Sequence, residues 1–298
     1  LSRFGPYLQR PRLGIDERDN DLQKLVICDK SLVSWIFDKE FDSVENGEKA
    51  ELIFNTDFLD RPIATENVLG FLKGSEKPEE VVIVTSHYDH VGIIGGEVHN
   101  GADDDGSGTV SVLEIAEAFA TAAKKGKGPK RSILFMTVTG EEKGLLGSRY
   151  YTDFDPVFPL ENTVVNLNID MVGRIDDAHA ESPDYVYLIG SDKLSDSLHE
   201  LSEEVNKKYT GLELDYTYND ENDPNRFYYR SDHYNFAKNN IPIIFYFNGT
   251  HPDYHQPSDT VEKIAFNTME KRAKLIFHTA WEVANREERI TADPDKIE

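Results

Sequence analysis

The sequence predicts a three-layer α/β/α fold with a mixed, largely parallel central sheet. Three observations predict it. Residues 80–85, 132–138 and 163–169 are nearly continuous apolar runs, the pattern of strands covered on both faces. Between the first two, Val112, Leu113, Ala116, Phe119, Ala120 and Ala123 recur at helical spacing along residues 107–125. Strand and helix signals then alternate through the rest of the chain, the order that builds a parallel sheet.

The elements follow in order. Residues 1–65 are the least patterned part, with strand signals at 25–27 and 50–54 and a short helix at 32–41. The single cysteine, Cys28, ends an apolar run and reads as a small core residue, and one cysteine excludes an internal disulfide. Arg61-Pro62 and Thr65-Glu66 mark a boundary, dividing an N-terminal segment, 1–65, from a domain, 66–298. A strand over 67–72 and a Gly/Ser/Pro loop over 74–78 precede the run at 80–85. Gly126 stands just past the helix at 107–125, where a left-handed cap suits glycine. A helix follows at 144–153 and a shorter strand at 185–189. Leu194, Leu198, Leu201 and Val205 form another helical stripe. Residues 210–235 are polar and aromatic and read as one long loop. A strand over 242–247 begins with Pro242, where a missing donor does little harm. The closing helix spans 267–286, with Asn267 and Glu270 spaced as a capping box.

Composition narrows the function. At 298 residues the chain buries a sizeable core. A net charge of −23 argues against nucleic-acid and anionic-membrane partners. No apolar run reaches the length of a membrane-spanning helix, and no signal peptide is present. The chain begins at Leu1 without methionine, as either a processed product or a trimmed chain would, and the missing targeting signal says little.

The chemistry gathers just past the strands. Residues 100–109 read Asn-Gly-Ala-Asp-Asp-Asp-Gly-Ser-Gly-Thr. Alone, three adjacent carboxylates read first as a solvated acidic turn. His87 and Asp89 follow the first apolar run, Glu141 and Glu142 the second, Asp170 the third, and His255 lies beyond the strand at 242–247. Ligands of open α/β sheets sit outside the carboxyl ends of the strands. Two imidazoles and several carboxylates delivered there, with Asp104 from the acidic run, suit a pair of zinc-like ions.

Ser-His-Tyr-Asp-His, Asn-Gly-Ala-Asp-Asp-Asp-Gly-Ser-Gly, Gly-Glu-Glu-Lys-Gly, Asn-Ile-Asp-Met-Val-Gly and Tyr-His-Gln-Pro-Ser-Asp-Thr occur in this order. Over about residues 66–286 the chain thereby resembles the co-catalytic two-zinc exopeptidases of metallopeptidase family 28, which include bacterial leucyl aminopeptidases. The resemblance implies two Zn2+ per chain. Asp104 would bridge them, His87 and Asp170 would complete one site, and Glu142 and His255 the other. It implies that Glu141 is the general base, and that Asp89 accepts a hydrogen bond from the far nitrogen of His87. It also implies a cis peptide after Asp104. The expected reaction is hydrolysis of the N-terminal peptide bond of peptides with a free amine, by water activated between the two ions. An extracellular or periplasmic location is expected with it, and residues 1–65 are expected to be the remnant of a protease-associated or lid region. A glutaminyl cyclase, a dipeptidase or carboxypeptidase, and a non-catalytic ectodomain are the competing readings on the same scaffold.

Substrate contacts are less sharply marked. Tyr229, Arg230 and Asp232, with Tyr228 and Ser231, precede the strand that feeds His255. Together with Met171, Arg174 and Tyr246 they read either as a side-chain pocket or as core aromatics and surface arginines. Arg174, Arg226 or Arg230 would bind a substrate carboxylate. His90, His233 and His251 are assigned to packing or to hydrogen bonding behind the ligands, and His99, His179, His199 and His278 to structural or exposed positions.

Overall fold

The computed structural model describes residues 30–50 and 63–297. The chain divides into two compact units, Leu1–Ala64 and Thr65–Glu298. In the first, helix α1 spans Lys30–Phe37 and a short turn follows at Phe41–Ser43. Cys28 and the expected strands at 25–27 and 50–54 fall wholly or mostly outside the described residues.

The second unit runs β1 (Val68–Leu72), β2 (Lys77–His87), β3 (Ile93–Ile94), β4 (Glu97–Val98), α2 (Gly108–Lys124), β5 (Arg131–Val138), α3 (Leu146–Asp153), β6 (Thr163–Ile169), β7 (Tyr185–Ile189), α4 (Asp196–Tyr209), β8 (Glu213–Asp215), α5 (His233–Ala237), β9 (Ile243–Phe247) and α6 (Phe266–Asn285). Seven strands form one sheet in the order β1-β5-β2-β6-β9-β7-β8. The four central strands β5, β2, β6 and β9 are parallel. β1 and β7 pair antiparallel with β5 and β9, and β8 is parallel to β7. The sheet is therefore mixed and largely parallel. β3 and β4 form a separate small hairpin.

The continuous apolar runs have the expected cause. Along β2, Val82 and Val84 enter one core with Ile115, Phe119, Leu198 and Ile276, which belong to α2, α4 and α6. Val81 and Ile83 enter the opposite core with Tyr151 of α3 and Phe236 of α5. A strand buried on both faces cannot alternate with polar residues.

Connectivity places the site. β2 is followed along the chain by β5 on one side, and β6 lies on its other side. This reversal opens a crevice at the carboxyl ends, the place where such sheets bind ligands. The loop after β6 is anchored by fully buried Arg272 of α6, which donates to the carbonyls of Tyr185, Val172 and Arg174 at 2.8, 2.8 and 2.6 Å.

Two expectations need correction. α6 begins at Phe266, so Asn267 already lies inside the helix and forms no capping box. The start is set instead by docking, because the Ala265 N–H donates to Gly173 O at 2.7 Å. Residues 210–235 are also not one loop. They hold β8, two short turns and the start of α5, stitched locally by Asp223, whose carboxylate accepts the N–H groups of Asn225 and Phe227. Gly126 does take the left-handed conformation past α2, with φ 74°. Among the described residues no helix is long and apolar enough to cross a membrane.

Candidate metal centre

Five segments bring their side chains to the crevice. His87 is the last residue of β2. Its Nδ1 lies 3.0 Å from the carbonyl of Asp89, which sets the tautomer with Nδ1–H donating. The lone pair of Nε2 then faces Asp104 Oδ1 at 3.3 Å and Asp170 Oδ1 at 3.6 Å. Asp104 sits in the irregular turn Ala102–Ser107 ahead of α2, and the Asp104–Asp105 peptide is cis. On the other side of Asp104, its Oδ2 lies 2.9 Å from His255 Nε2, which is 3.2 Å from Glu142 Oε1. Asp104 thus stands between two groups of donors.

The electrostatics of this cluster call for a cation. Burial opposes charge on His255, yet Asp104 and Glu142 raise its pKa to about 9. Burial likewise opposes charge on His87, and Asp170 and Asp104 outweigh it, holding the imidazole well above its ordinary range. His87 Nε2, Asp104 Oδ2 and Glu142 Oε1 are buried and have no hydrogen-bond partner among the described residues. Buried polar atoms left in this way are costly unless something binds them. Imidazole nitrogens and carboxylate oxygens converging without hydrogen-bond alignment form a donor set that fits zinc.

Two further carboxylates flank the cluster. Glu141 follows β5 in the turn Glu141–Lys143, between Gly140 and Gly144. Burial, reinforced by Asp170, Asp232 and Asp104 and opposed by His87, pushes its carboxyl well above the usual range. Asp89 does not hold His87 through its carboxylate, which lies 3.8 Å from Nδ1. Instead its Oδ1 accepts the backbone N–H of Glu141 at 3.1 Å, fixing the turn that carries the glutamate.

Beside the carboxylates lies a small cavity walled by Met171, Phe227, Phe245, Phe247 and Tyr254, with Arg230 at its edge and Asp104, Glu141, Asp170 and His255 on its floor. The Tyr254 ring stacks on His255 at 3.9 Å. A much larger groove of about 1110 Å³, lined among others by Arg226, Tyr228 and Tyr229, contains none of these carboxylates.

Several expected pocket residues are placed elsewhere. Tyr246 is fully buried in the opposite core, because neighbours on a strand face opposite ways and Phe245 and Phe247 take the cavity side. Asp232 is fully buried, accepts a hydrogen bond from Ser148 Oγ, and is pushed up to about 7 mainly by burial. Arg174 is held by Asp253 at 2.8 Å and lies 3.6 Å from Asp259, whose other oxygen accepts the N–H groups of Asp103 and Asp104. Its charge supports the acidic turn. Tyr229 lines the larger groove. Of Tyr229, Arg230, Asp232, Arg174 and Tyr246, Arg230 alone borders the cavity, while Met171, also expected there, lines its wall.

The sequence profile of peptidase family M28 matches residues 67–280. The chain belongs to peptidase family M28. Among relatives, it is 28% identical over 232 residues to Aminopeptidase YwaD of Bacillus subtilis, covering 76% of this chain and 46% of that protein. It is 32% identical over 217 residues to a "Probable leucine aminopeptidase" of Arthroderma benhamiae, covering 70% of this chain and 55% of the other. The solved structure of BSAP, a zinc aminopeptidase from Bacillus subtilis, aligns with TM-score 0.57 and 26% identity over 78% of this chain and 53% of that one. The M28 chain described here thus spans about half the length of these relatives.

Support for this M28 centre comes from residues that the motifs did not single out. Asp105 is buried. Its Oδ2 accepts the N–H of His87 at 3.1 Å, and its Oδ1 accepts those of Gly108 and Met171 at 3.0 Å each. Ser231 donates to Asp170 Oδ2 at 2.6 Å and accepts from Asn168 Nδ2 at 2.9 Å. The even spacing of Asn166, Asn168 and Asp170 along and just past β6 was the available signal for that polar ladder.

His233 lies behind the cavity wall, fully buried and stacked on Phe245 at 4.6 Å. Burial drives its pKa down to about 3, with only a bond to the Tyr228 carbonyl opposing. Below the ordinary histidine pKa of roughly 6.5, the unfolded chain takes up a proton that the native state refuses. Stability therefore falls as pH drops through that value, by about 1.4 kcal/mol per pH unit. In urea unfolding of metal-free protein, moving from pH 7 to pH 5 should cost the wild type about 2 kcal/mol more than His233→Asn. Equal losses would refute a neutral, buried His233.

Proposed function

We propose that this chain is a two-zinc aminopeptidase that removes apolar residues from the free N-terminus of peptides. The observation that carries this reading is the position of Asp104 between two donor groups, next to an apolar cavity floored by Glu141. The names of the relatives support the aminopeptidase choice. His87, Asp104 and Asp170 would hold one ion, and Asp104, Glu142 and His255 the other. Bound there, zinc would supply Lewis-acid polarisation of the scissile carbonyl and lower the pKa of the attacking water.

The chain's own residues do the rest. The Glu141 carboxylate accepts the proton of the attacking water and returns it to the leaving amine nitrogen. Asp89 keeps Glu141 in place by holding its backbone N–H. Met171, Phe227, Phe245 and Phe247 receive the N-terminal side chain and exclude water from it.

The test is a panel of aminoacyl chromogenic amides. Leucyl and phenylalanyl amides should be cleaved faster than aspartyl or lysyl ones. Chelation should abolish cleavage, zinc should restore it at about two equivalents, and N-acetylation of the substrate should block it. Cyclisation of N-terminal glutaminyl substrates without amide cleavage would overturn the proposal.

A further inference from the structure

His90 lies three residues beyond His87, and no ligand role is carried to it by the motifs. Yet its Nδ1 is 3.1 Å from Glu142 Oε1 and 3.8 Å from Asp104 Oδ2, the two oxygens that also face His255. One candidate metal group is His90, Asp104 and Glu142, with ligand atoms within 4.8 Å of one another. Both ring nitrogens are buried, and neither has a hydrogen-bond partner among the described residues. At 3.1 Å a donor aimed at Glu142 would bond it. The missing alignment is what two lone pairs directed at a shared cation produce. Four donors placed tetrahedrally about zinc lie roughly 3.3 Å apart, and the contacts here bracket that spacing.

Local packing holds the ring there. A Cβ at Gly101 would come within 2.6 Å of His90 Cγ and 2.5 Å of Asp104 O, so glycine leaves the space that the imidazole fills. The rings of His90 and His255 meet edge to face, at 5.7 Å and 73°, approaching the two carboxylates from different directions.

We propose that His90 is a fourth protein ligand at the Glu142–His255 position. This rests on the two-metal reading above. It makes the two positions unequal. The one held by His87, Asp104 and Asp170 has three protein donors and keeps room for water and substrate. The other would have two imidazoles and two carboxylates, one protein donor more. The metal at that four-donor position is retained longer, and the more exchangeable metal is the one at His87.

Cobalt provides a readout independent of catalysis. In the His90→Cys chain loaded with cobalt(II), a thiolate-to-cobalt charge-transfer band should appear and saturate at one equivalent. Tyr88→Cys, whose native side chain points away to the Glu66 carbonyl, should show none. In chelator competition, folded His90→Gln should lose more than about tenfold in affinity for the tighter zinc and little for the weaker one. No band in His90→Cys carrying two cobalt ions, or unchanged zinc affinities in His90→Gln, would overturn the His90 assignment and leave the two-metal reading standing. A wild-type chain that binds no cobalt or zinc would overturn both.

Discussion

Glu141→Gln should lower kcat on the best aminoacyl amide by about 10²- to 10⁴-fold while the protein still binds its full complement of zinc. The two halves of this expectation have separate physical bases. Glutamine keeps the size of the side chain, and Asp89 accepts the backbone N–H of residue 141 whatever that side chain is. The turn between Gly140 and Gly144 therefore survives the change. Only the ability to take up and release a proton is removed. In the metal-free chain, burial and the carboxylates of Asp170, Asp232 and Asp104 raise the proton affinity of Glu141, and His87 opposes them. An amide has no such affinity to raise.

The measurement is steady-state kinetics with zinc content determined on the same sample. KM should change little, because the apolar wall that receives the substrate side chain is untouched. A variant within about tenfold of wild-type kcat would remove Glu141 from the role of base. A large loss of zinc would instead mark it as a ligand.

Much of the sheet was legible because its strands are buried on both faces. β6 occupies Thr163–Ile169, the residues the apolar run marks, and β7 likewise matches its run. Knowing where the strands stop is nearly enough to place His87 and Asp170, since both sit at or beside a strand end. Backbone geometry past the strand was not legible. Tyr246 and Phe247 differ by one residue and face opposite cores, and composition does not tell which side of β9 the covering loop will take. His90 and His255 are far apart in sequence, and only the fold brings both to Asp104 and Glu142. Arg174 resembles a substrate clamp until Asp253 and Asp259 are seen to claim it.

The acidic run shows the limit most clearly, because three identical residues do three different jobs. Asp103 accepts the N–H of Gly173 at 2.7 Å and pairs with His251 at 3.0 Å. Asp104 faces the imidazoles. Asp105 takes the N–H groups of His87, Gly108 and Met171. Non-helical backbone at Asp104 (φ −102°, ψ 92°) and Asp105 (φ −121°, ψ 45°) turns successive side chains in unrelated directions. No periodicity in the sequence encodes that.

Asp105→Asn should therefore act far beyond one hydrogen bond. The carboxylate joins the end of β2, the start of α2 and the first residue after Asp170 through a single group. Asparagine can still accept the Gly108 and Met171 N–H groups with its oxygen. Its NH2 then meets the His87 N–H, donor against donor, in a buried site. Burial pushes the Asp105 carboxyl well above its usual range, so the cost is mainly that of the unmet His87 N–H, and the change should destabilise the protein by about 1–3 kcal/mol. The effect on metal should be selective. His87 and Asp170 lean on Asp105 through their backbones, whereas the Glu142 turn and His255 make no bond to it among the described residues. Zinc affinity should fall by about 10- to 100-fold for the His87–Asp170 position and much less for the other. Chelator competition on folded protein separates the two equivalents, and urea unfolding of the metal-free forms gives the stability. Equal weakening of both equivalents would mean that Asp105 supports the turn as a whole rather than the strand ends. Asp105→Glu would not rescue the loss, because one extra methylene cannot keep three backbone donors in reach within so closed a turn, where Gly108 already leaves no room for a Cβ beside the carboxylate.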